Sequence, residues 1–247
     1  MELLKGYGSP KRIRAALGKL PEKLPNAYDD IMERIERQAG DQKTMALAAL
    51  KWITYAKRRL RVVELLHAIA LALEPDSTDI DDDDLIDVDL LLSSCAGLVI
   101  LQEDRIIRLV HYTTQDYLEK RFPKADANTS LAESCLTYLA LDKFSDAPAN
   151  DDKALRRLME RYPLSIYAAH YWEYHARHGK EKDVEHAILS TLRTQEKRDI
   201  MDRFDFFLRY DFLPPLGSSL LHFISRYGFS WICATLLDPN NILFRSY

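Results

Sequence analysis

Glycine is scarce in this chain, with 8 in 247 residues, and strand-like runs are few. That composition favours a mainly helical plan. Neither G-x-x-x-x-G-K-[ST] nor G-x-S-x-G occurs. The first absence removes the backbone cradle for nucleotide phosphates, and the second removes the strained nucleophile turn of serine hydrolases. The three cysteines, Cys95, Cys135 and Cys233, lie far apart. They form no C-x-x-C pair and no even disulfide framework, which points to a reducing compartment. No apolar run approaches the roughly 20 residues that span a bilayer. The opening MELLKGYGSP has no secretory apolar core, so a cytoplasmic protein is expected. Charge bias is missing as well: the net charge is −4, with no global pull toward nucleic acid or anionic membrane.

What is present is a hydrophobic fraction of 47%, ample for a core in one large or two ordinary domains. The stretch from Leu90 to Arg121 reads as helix, strand, tight turn, strand, helix. Leu90, Leu91 and Leu92 end an apolar helical run, and Cys95-Ala96-Gly97 breaks it. Leu98 to Leu101 is a short apolar strand, and Gln102 to Arg105 is polar and turn-like. Ile106, Ile107, Leu109 and Val110 form the return strand, with Arg105 and Arg108 facing water. Thr113-Thr114-Gln115-Asp116 fits a helix-start box, a Thr hydroxyl capping a free N–H while Asp116 reaches back. A hairpin among helices in this order is the wing of a winged-helix module.

The helices that should precede a wing are there. Asn26 caps one whose apolar face is Ala27, Ile31 and Ile35, beside Tyr28 and Met32. Asp41 starts a second, carrying Met45, Ala48, Trp52, Ile53 and Ala56 at helical spacing. Lys57-Arg58-Arg59-Leu60-Arg61 connects it to a third, whose stripe is Leu65, Leu66, Ile69, Ala70 and Leu73 and whose stop is Pro75.

Four pieces in this order, LPNAYDDIMERI (24–35), ALKWITYAKRRLRVVELLHAIAL (49–71), LLLSSCAGLVIL (90–101) and IRLVHYTTQDYL (107–118), resemble the winged-helix domain that follows the NACHT nucleotide-binding domain in fungal NLR-like proteins of the STAND class. The same module also carries a GPI inositol-deacylase winged-helix label. The resemblance implies that residues 1–23, with Ser9-Pro10 opening a helix and Ile13, Leu17 and Leu20 on its face, are the end of a nucleotide-domain helical arm. The chain would then begin late within a larger architecture.

Residues 24–122 are assigned to the winged helix. Its acidic stretch Asp76–Asp89 is read as a solvated, mobile loop. It fails as a calcium loop, since Asp84 stands where the turn glycine belongs and Leu90 where the bidentate glutamate belongs. Residues 123–213 read as a helical linker domain. Its faces are Leu131, Cys135, Tyr138 and Leu139; Leu155 and Leu158; the aromatic run 163–178; Val184, Ile188 and Leu192; and a cluster of Phe204, Phe206, Phe207 and Phe212. Residues 214–247 include GSSLLHFISRYGFSWICATLL (217–237), which resembles one ankyrin repeat. Ser219-Leu220-Leu221-His222 stands for its Thr-Pro-Leu-His, Tyr227-Gly228 ends the first helix, and Ile232, Leu236 and Leu237 stripe the second. A lone repeat cannot bury its own faces, so it must pack on the preceding helices or belong to a longer array. The expected fold class is mainly α: a winged-helix module with one β-hairpin, then an α-helical region ending in an ankyrin-like helix pair.

Among candidate site residues His111 comes first. In the resembled proteins a winged-helix histidine, in a strand-to-helix His-x-[Ser/Thr] setting, contacts the β-phosphate of ADP, and His111-Tyr112-Thr113 matches that setting. A strand-end histidine satisfied by a backbone carbonyl is the plainer alternative. Ser94 and Cys95 are poor nucleophile candidates, because no strand precedes them. His170, His175 and His178 crowd one helix, but no cysteine stands near them to complete a zinc site. As a DNA-reading helix the candidate is Val62–Leu73, almost wholly apolar, with Lys57, Arg58, Arg59 and Arg61 before it for phosphates.

The expectations are therefore no catalytic residue, no metal and no cofactor in this chain, with ADP or ATP entering only through a joined nucleotide-binding domain. Partners would be proteins or neighbouring domains, with no membrane and nucleic acid disfavoured. The function expected is regulatory and scaffolding; a free-standing ankyrin-type adaptor is the alternative, and a winged-helix DNA binder comes third. The missing P-loop sets an outcome: calorimetric titration of the chain with ADP should show no micromolar affinity, and such affinity would overturn this reading.

Overall fold

The computed structural model describes residues 26–145, 152–210 and 217–238. The arm helix expected before residue 24, and Phe212, lie outside the described residues. Helix α1 (26–36) comes first, followed by α2 (Asp41–Tyr55) and α3 (Val62–Leu73). A single 3-10 turn (Asp82–Asp84) precedes α4 (Val88–Ser94), the hairpin β1 (Val99–Leu101) and β2 (Ile107–Leu109), and α5 (Tyr112–Arg121). Beyond it run α6 (Lys124–Leu139), α7 (Asp142–Ser145), α8 (Asp152–Arg161), α9 (Leu164–His178), α10 (Glu181–Thr191), α11 (Gln195–Tyr210), α12 (Leu220–Arg226) and α13 (Ser230–Leu237). The fold is mainly helical with one antiparallel hairpin, as the residue pattern implies.

The turn chemistry explains the hairpin. Ala96 and Gly97 take φ of 49° and 86°, and these two left-handed residues swing the chain from α4 into β1. Strand register sets Val99 against Leu109 and Leu101 against Ile107. Gln102 N–H donates to Ile106 O at 2.9 Å, closing a three-residue loop whose last residue, Arg105, has φ 58°. That is a turn followed by a left-handed residue, the usual form of such a loop. Arg61 bridges to Ile106, adding a one-residue third rung beside β2.

Several expectations shift. Asn26 is already helical and Ala27 is exposed, so the face of α1 is Met32 and Ile35 with Tyr28 and Ile31 half-buried. The acidic stretch is tied down rather than loose. Ile80 is buried. Asp79 accepts from Tyr162 Oη at 2.5 Å. Arg161 pairs with Asp81 and Asp82. Burial needs Ile80 inside, and Arg161 of α8 and Lys143 of α7 supply the cations that settle the flanking carboxylates.

α3 is buried along most of its length, against α2, α6 and α9. It therefore has no free face for a groove, contrary to its candidacy as a reader. In a helix-turn-helix the second helix does the reading, and here that is α4. Asp87 caps α4, accepting from the N–H groups of Asp89 and Leu90.

The most extensive helix contact is α6 on α9. One core runs without a break from Met32 to Ile232. Trp172 of α9 is fully buried and packs on Phe223, Tyr227 and Phe229, tying the α12–α13 pair to the rest. Phe204 of α11 meets Phe144 edge-on at 5.1 Å. Ser219 caps α12, and Gly228 with φ 70° turns the chain into α13. The expected stripe of α13 holds at Ile232 and Leu236, but Leu237 is 64% exposed.

Two histidines sit inside this seam. His67 of α3 bonds Tyr138 Oη through Nδ1 at 2.9 Å, and His175 of α9 uses both ring nitrogens on Tyr167 and Asn128, each at 2.8 Å. Burial pushes His67 down to about 4 and His175 down to about 3. Both stay neutral when folded, while the unfolded chain takes up their protons below about 6.5, so their contribution is present above that pH and fades as pH falls. Asp202, pushed up to about 6 by burial, works in the opposite sense between its unfolded value and 6. Urea unfolding should show stability falling from pH 6.5 to 4.5. His67→Phe should flatten that slope by up to about 1.4 kcal/mol per pH unit.

Candidate functional site

A cleft of about 250 Å³ lies where the α2–α3 connector, β2 and the start of α5 converge. Each wall follows from local sequence. In β2 the alternation Ile107-Arg108-Leu109 buries the two apolar side chains and leaves Arg108 half-buried between them. This differs from the expectation that Arg108 faces water: its Nε is buried without an acceptor, and the residue is part of the cleft lining. Arg105 is exposed as expected.

His111 stands at the cleft edge as the N-cap of α5. Its Nδ1 accepts from Thr113 N–H at 3.2 Å and lies 2.9 Å from Thr113 Oγ1. An accepting Nδ1 fixes the neutral ring as the Nε2–H tautomer, so Nε2 is left as a donor. Tyr28 Oη, 2.7 Å from Thr113 Oγ1, completes a line of hydroxyl donation from α1 through Thr113 to the imidazole. The expected Thr113–Asp116 start box is corrected here: the cap is His111, two residues earlier, Thr113 lies inside the helix and Asp116 is exposed. The backbone N–H of Thr113, the second residue of α5, needs an acceptor, and the imidazole of His111 just before the helix reaches it.

The connector supplies the second wall and is held from both sides. Arg58 grips Glu64 with both terminal nitrogens at 2.8 Å, and Glu64, 1% exposed, also accepts from Arg61 N–H at 2.7 Å. That hydrogen bond raises Arg58 above its ordinary value. From the other side, Lys57 N–H donates to Tyr167 Oη at 2.9 Å. Tyr167 O–H then donates to His175 Nε2, and His175 Nδ1–H donates to Asn128 Oδ1. Arg58 also lies 5.1 Å over the Tyr167 ring, and Lys57 Nζ 4.1 Å over Tyr174. Arg59 is exposed and has no carboxylate partner among the described residues.

The other candidates are not brought to this cleft. Ser94 Oγ donates to Leu90 O at 2.8 Å, and Cys95 is fully buried with its thiol pushed up to about 12. Neither is placed for nucleophilic attack. His175 is internal, His178 bonds Tyr174 O at 2.7 Å, and His170 lies 3.6 Å from Asp205, so the three do not converge. Among the described residues no group of three His, Cys, Asp or Glu side chains is arranged to hold a metal.

Sequence reasoning singled out His111 and read Arg108 as solvent-facing, whereas the structure sets both residues on the same cleft. The strand alternation gives no signal for it, since Arg108 points to the face opposite Ile107 and Leu109, and only the docking of the connector and α5 on that face half-buries it.

Compared with known families, residues 32–144 match the GPI inositol-deacylase, winged helix domain model. The match begins in α1 and ends in α7. No curated protein and no solved structure matches the chain. No described helix is long and apolar enough to cross a membrane.

Arg58→Ala would leave Glu64 buried with the Arg61 N–H at 2.7 Å and, as its one remaining cation, the Arg61 guanidinium at 3.6 Å. Because Arg58 is about one-third exposed, the loss should sit below the full penalty for a broken buried pair, at about 2 kcal/mol in denaturant unfolding.

Proposed function

We propose that this chain is a non-catalytic regulatory and scaffolding segment of a STAND-type signalling protein, working in the cytoplasm. Its winged helix packs on a neighbouring nucleotide-binding domain, and His111 Nε2–H faces the β-phosphate of the ADP held there. The observation that supports this most is the His111 geometry. Nδ1 is occupied by Thr113, Nε2 is available, and the cleft alongside is lined by three arginines and no carboxylate. Loss or exchange of the nucleotide would withdraw the anchor and release the winged helix. The α6–α9 seam would pass that movement to the α12–α13 pair, read as the start of an ankyrin-type array that senses a protein partner.

The chain supplies position rather than chemistry in this reading. The name of the matching family points to a deacylase, but the module it matches is the winged helix, and no G-x-S-x-G occurs in the sequence. A second reading, a protein-interaction adaptor without a nucleotide partner, is favoured by one feature: the exposed Leu237 at the end of α13 offers an apolar contact. Nucleic-acid binding is disfavoured by the helix that would read a groove, since α4 opens on Asp87 and Asp89.

In a polypeptide that includes the nucleotide-binding domain, His111→Ala should weaken ADP retention by roughly tenfold, the scale of one charge-assisted hydrogen bond. Unchanged ADP affinity together with unchanged oligomerisation would remove the nucleotide role and leave the adaptor reading.

A further inference from the structure

The charge balance of the cleft goes further than His111. Across the whole chain acidic residues outnumber basic ones, 38 to 34. Yet the cleft wall holds Arg58, Arg59, Arg108 and His111 and no Asp or Glu. Arg58 is neutralised by Glu64. Arg59 and Arg108 have no carboxylate partner among the described residues, and Arg108 keeps a buried Nε with nothing to donate to. Its one other polar contact is a long 3.4 Å approach to Leu109 O. A half-buried guanidinium with no counter-charge carries a desolvation cost that an anion held beside it would partly offset.

We propose that the cleft is a binding site for a phosphate-class anion, with Arg59 and Arg108 as its charge contacts and His111 Nε2–H beside them. This rests on the reading of the same cleft given above and adds to it two charge contacts and binding of the bare anion by this chain alone. Charge sets the class. The cleft, about 250 Å³ and small beside the roughly 300–1,000 Å³ of drug-sized pockets, presents cations and no carboxylate, which suits a compact phosphate or diphosphate group. Gln115, whose Nε2 is spent on Thr54 O at 2.9 Å and Glu119 Oε1 at 2.7 Å, is not available as a further donor from that amide nitrogen. Tyr112, 72% exposed and tilted against His111 with ring centroids 4.3 Å apart, lines the cleft beside it.

The test is an NMR titration of the full chain with inorganic pyrophosphate, the probe that carries the phosphate chemistry without a nucleoside. Two charge-assisted contacts on solvent-reachable arginines give a dissociation constant on the order of 1 mM, with saturable shifts at the Arg108, His111 and Tyr112 amides. Arg59→Gln and Arg108→Gln should each weaken binding roughly tenfold. Lys120→Gln, which removes the same charge at the far end of α5, should leave it unchanged. Arg59 is exposed and unpaired, so Arg59→Gln keeps the test valid if Arg108→Gln fails to fold. Absence of saturable shifts up to roughly 20 mM, or equal weakening by Lys120→Gln, would overturn the site. A duplex DNA fragment that binds more tightly than pyrophosphate and is lost on the same arginine variants would also overturn it, in favour of nucleic-acid phosphates. The titration uses this chain alone, so its failure is separate from the ADP-retention assay, where a nucleotide-binding domain is present and His111 is the residue changed.

Discussion

The chain of hydrogen bonds from Lys57 N–H through Tyr167 and His175 to Asn128 is the constraint on which the rest of the structure depends. It crosses the α6–α9 seam, the largest helix contact in the fold, and ends on the backbone of the α2–α3 connector. Each link is buried or half-buried, and each donor has an acceptor, with Asn128 closing the line onto Lys124 O. A polar line in an apolar seam admits one alignment of its helices, because a shift by one turn strands several groups without partners. The seam's apolar residues could slide; the polar line cannot.

That alignment explains the connector and through it the cleft. Five residues, Lys57 to Arg61, carry four cations, three of them consecutive, and self-repulsion would splay them. Glu64 takes Arg58, two tyrosine rings of α9 lie under Lys57 and Arg58, and Arg61 closes onto the wing. Arg59 is left over, on the side where β2 presents Arg108 and α5 presents His111. The concentration of unpaired positive charge is thus a by-product of how the neighbouring charges are satisfied. The downstream helices are coupled to it, since α9 also holds Trp172, the anchor of the α12–α13 pair.

Much of the fold is legible in the chain order. The break at Gly97, the polar tip at Gln102 to Arg105 and the apolar runs around them give helix, hairpin and helix, because those signals act within a few residues. The winged-helix reading drawn from them agrees with the family match over residues 32–144. His111 was equally legible, as a histidine between a strand and a helix. The cap assignment to Thr113 failed for a reason of reach: spacing alone cannot tell which of two polar residues meets a free N–H, and the imidazole won.

What the sequence by itself determined was the succession of elements and the kind of residue at each turn, since propensity, alternation and capping are local. Tertiary packing alone decided which charges remain unpaired. Arg58, Arg59 and Arg61 are near neighbours of one residue type, and nothing in their order says that Glu64 would claim the first and leave the second free. Arg108 reads as solvent-facing until the connector and α5 close over it. The acidic stretch reads as loose until Arg161 and Tyr162 arrive from about eighty residues away. Electrostatic pairing acts through space rather than along the chain, so its outcome is fixed only when the helices have docked.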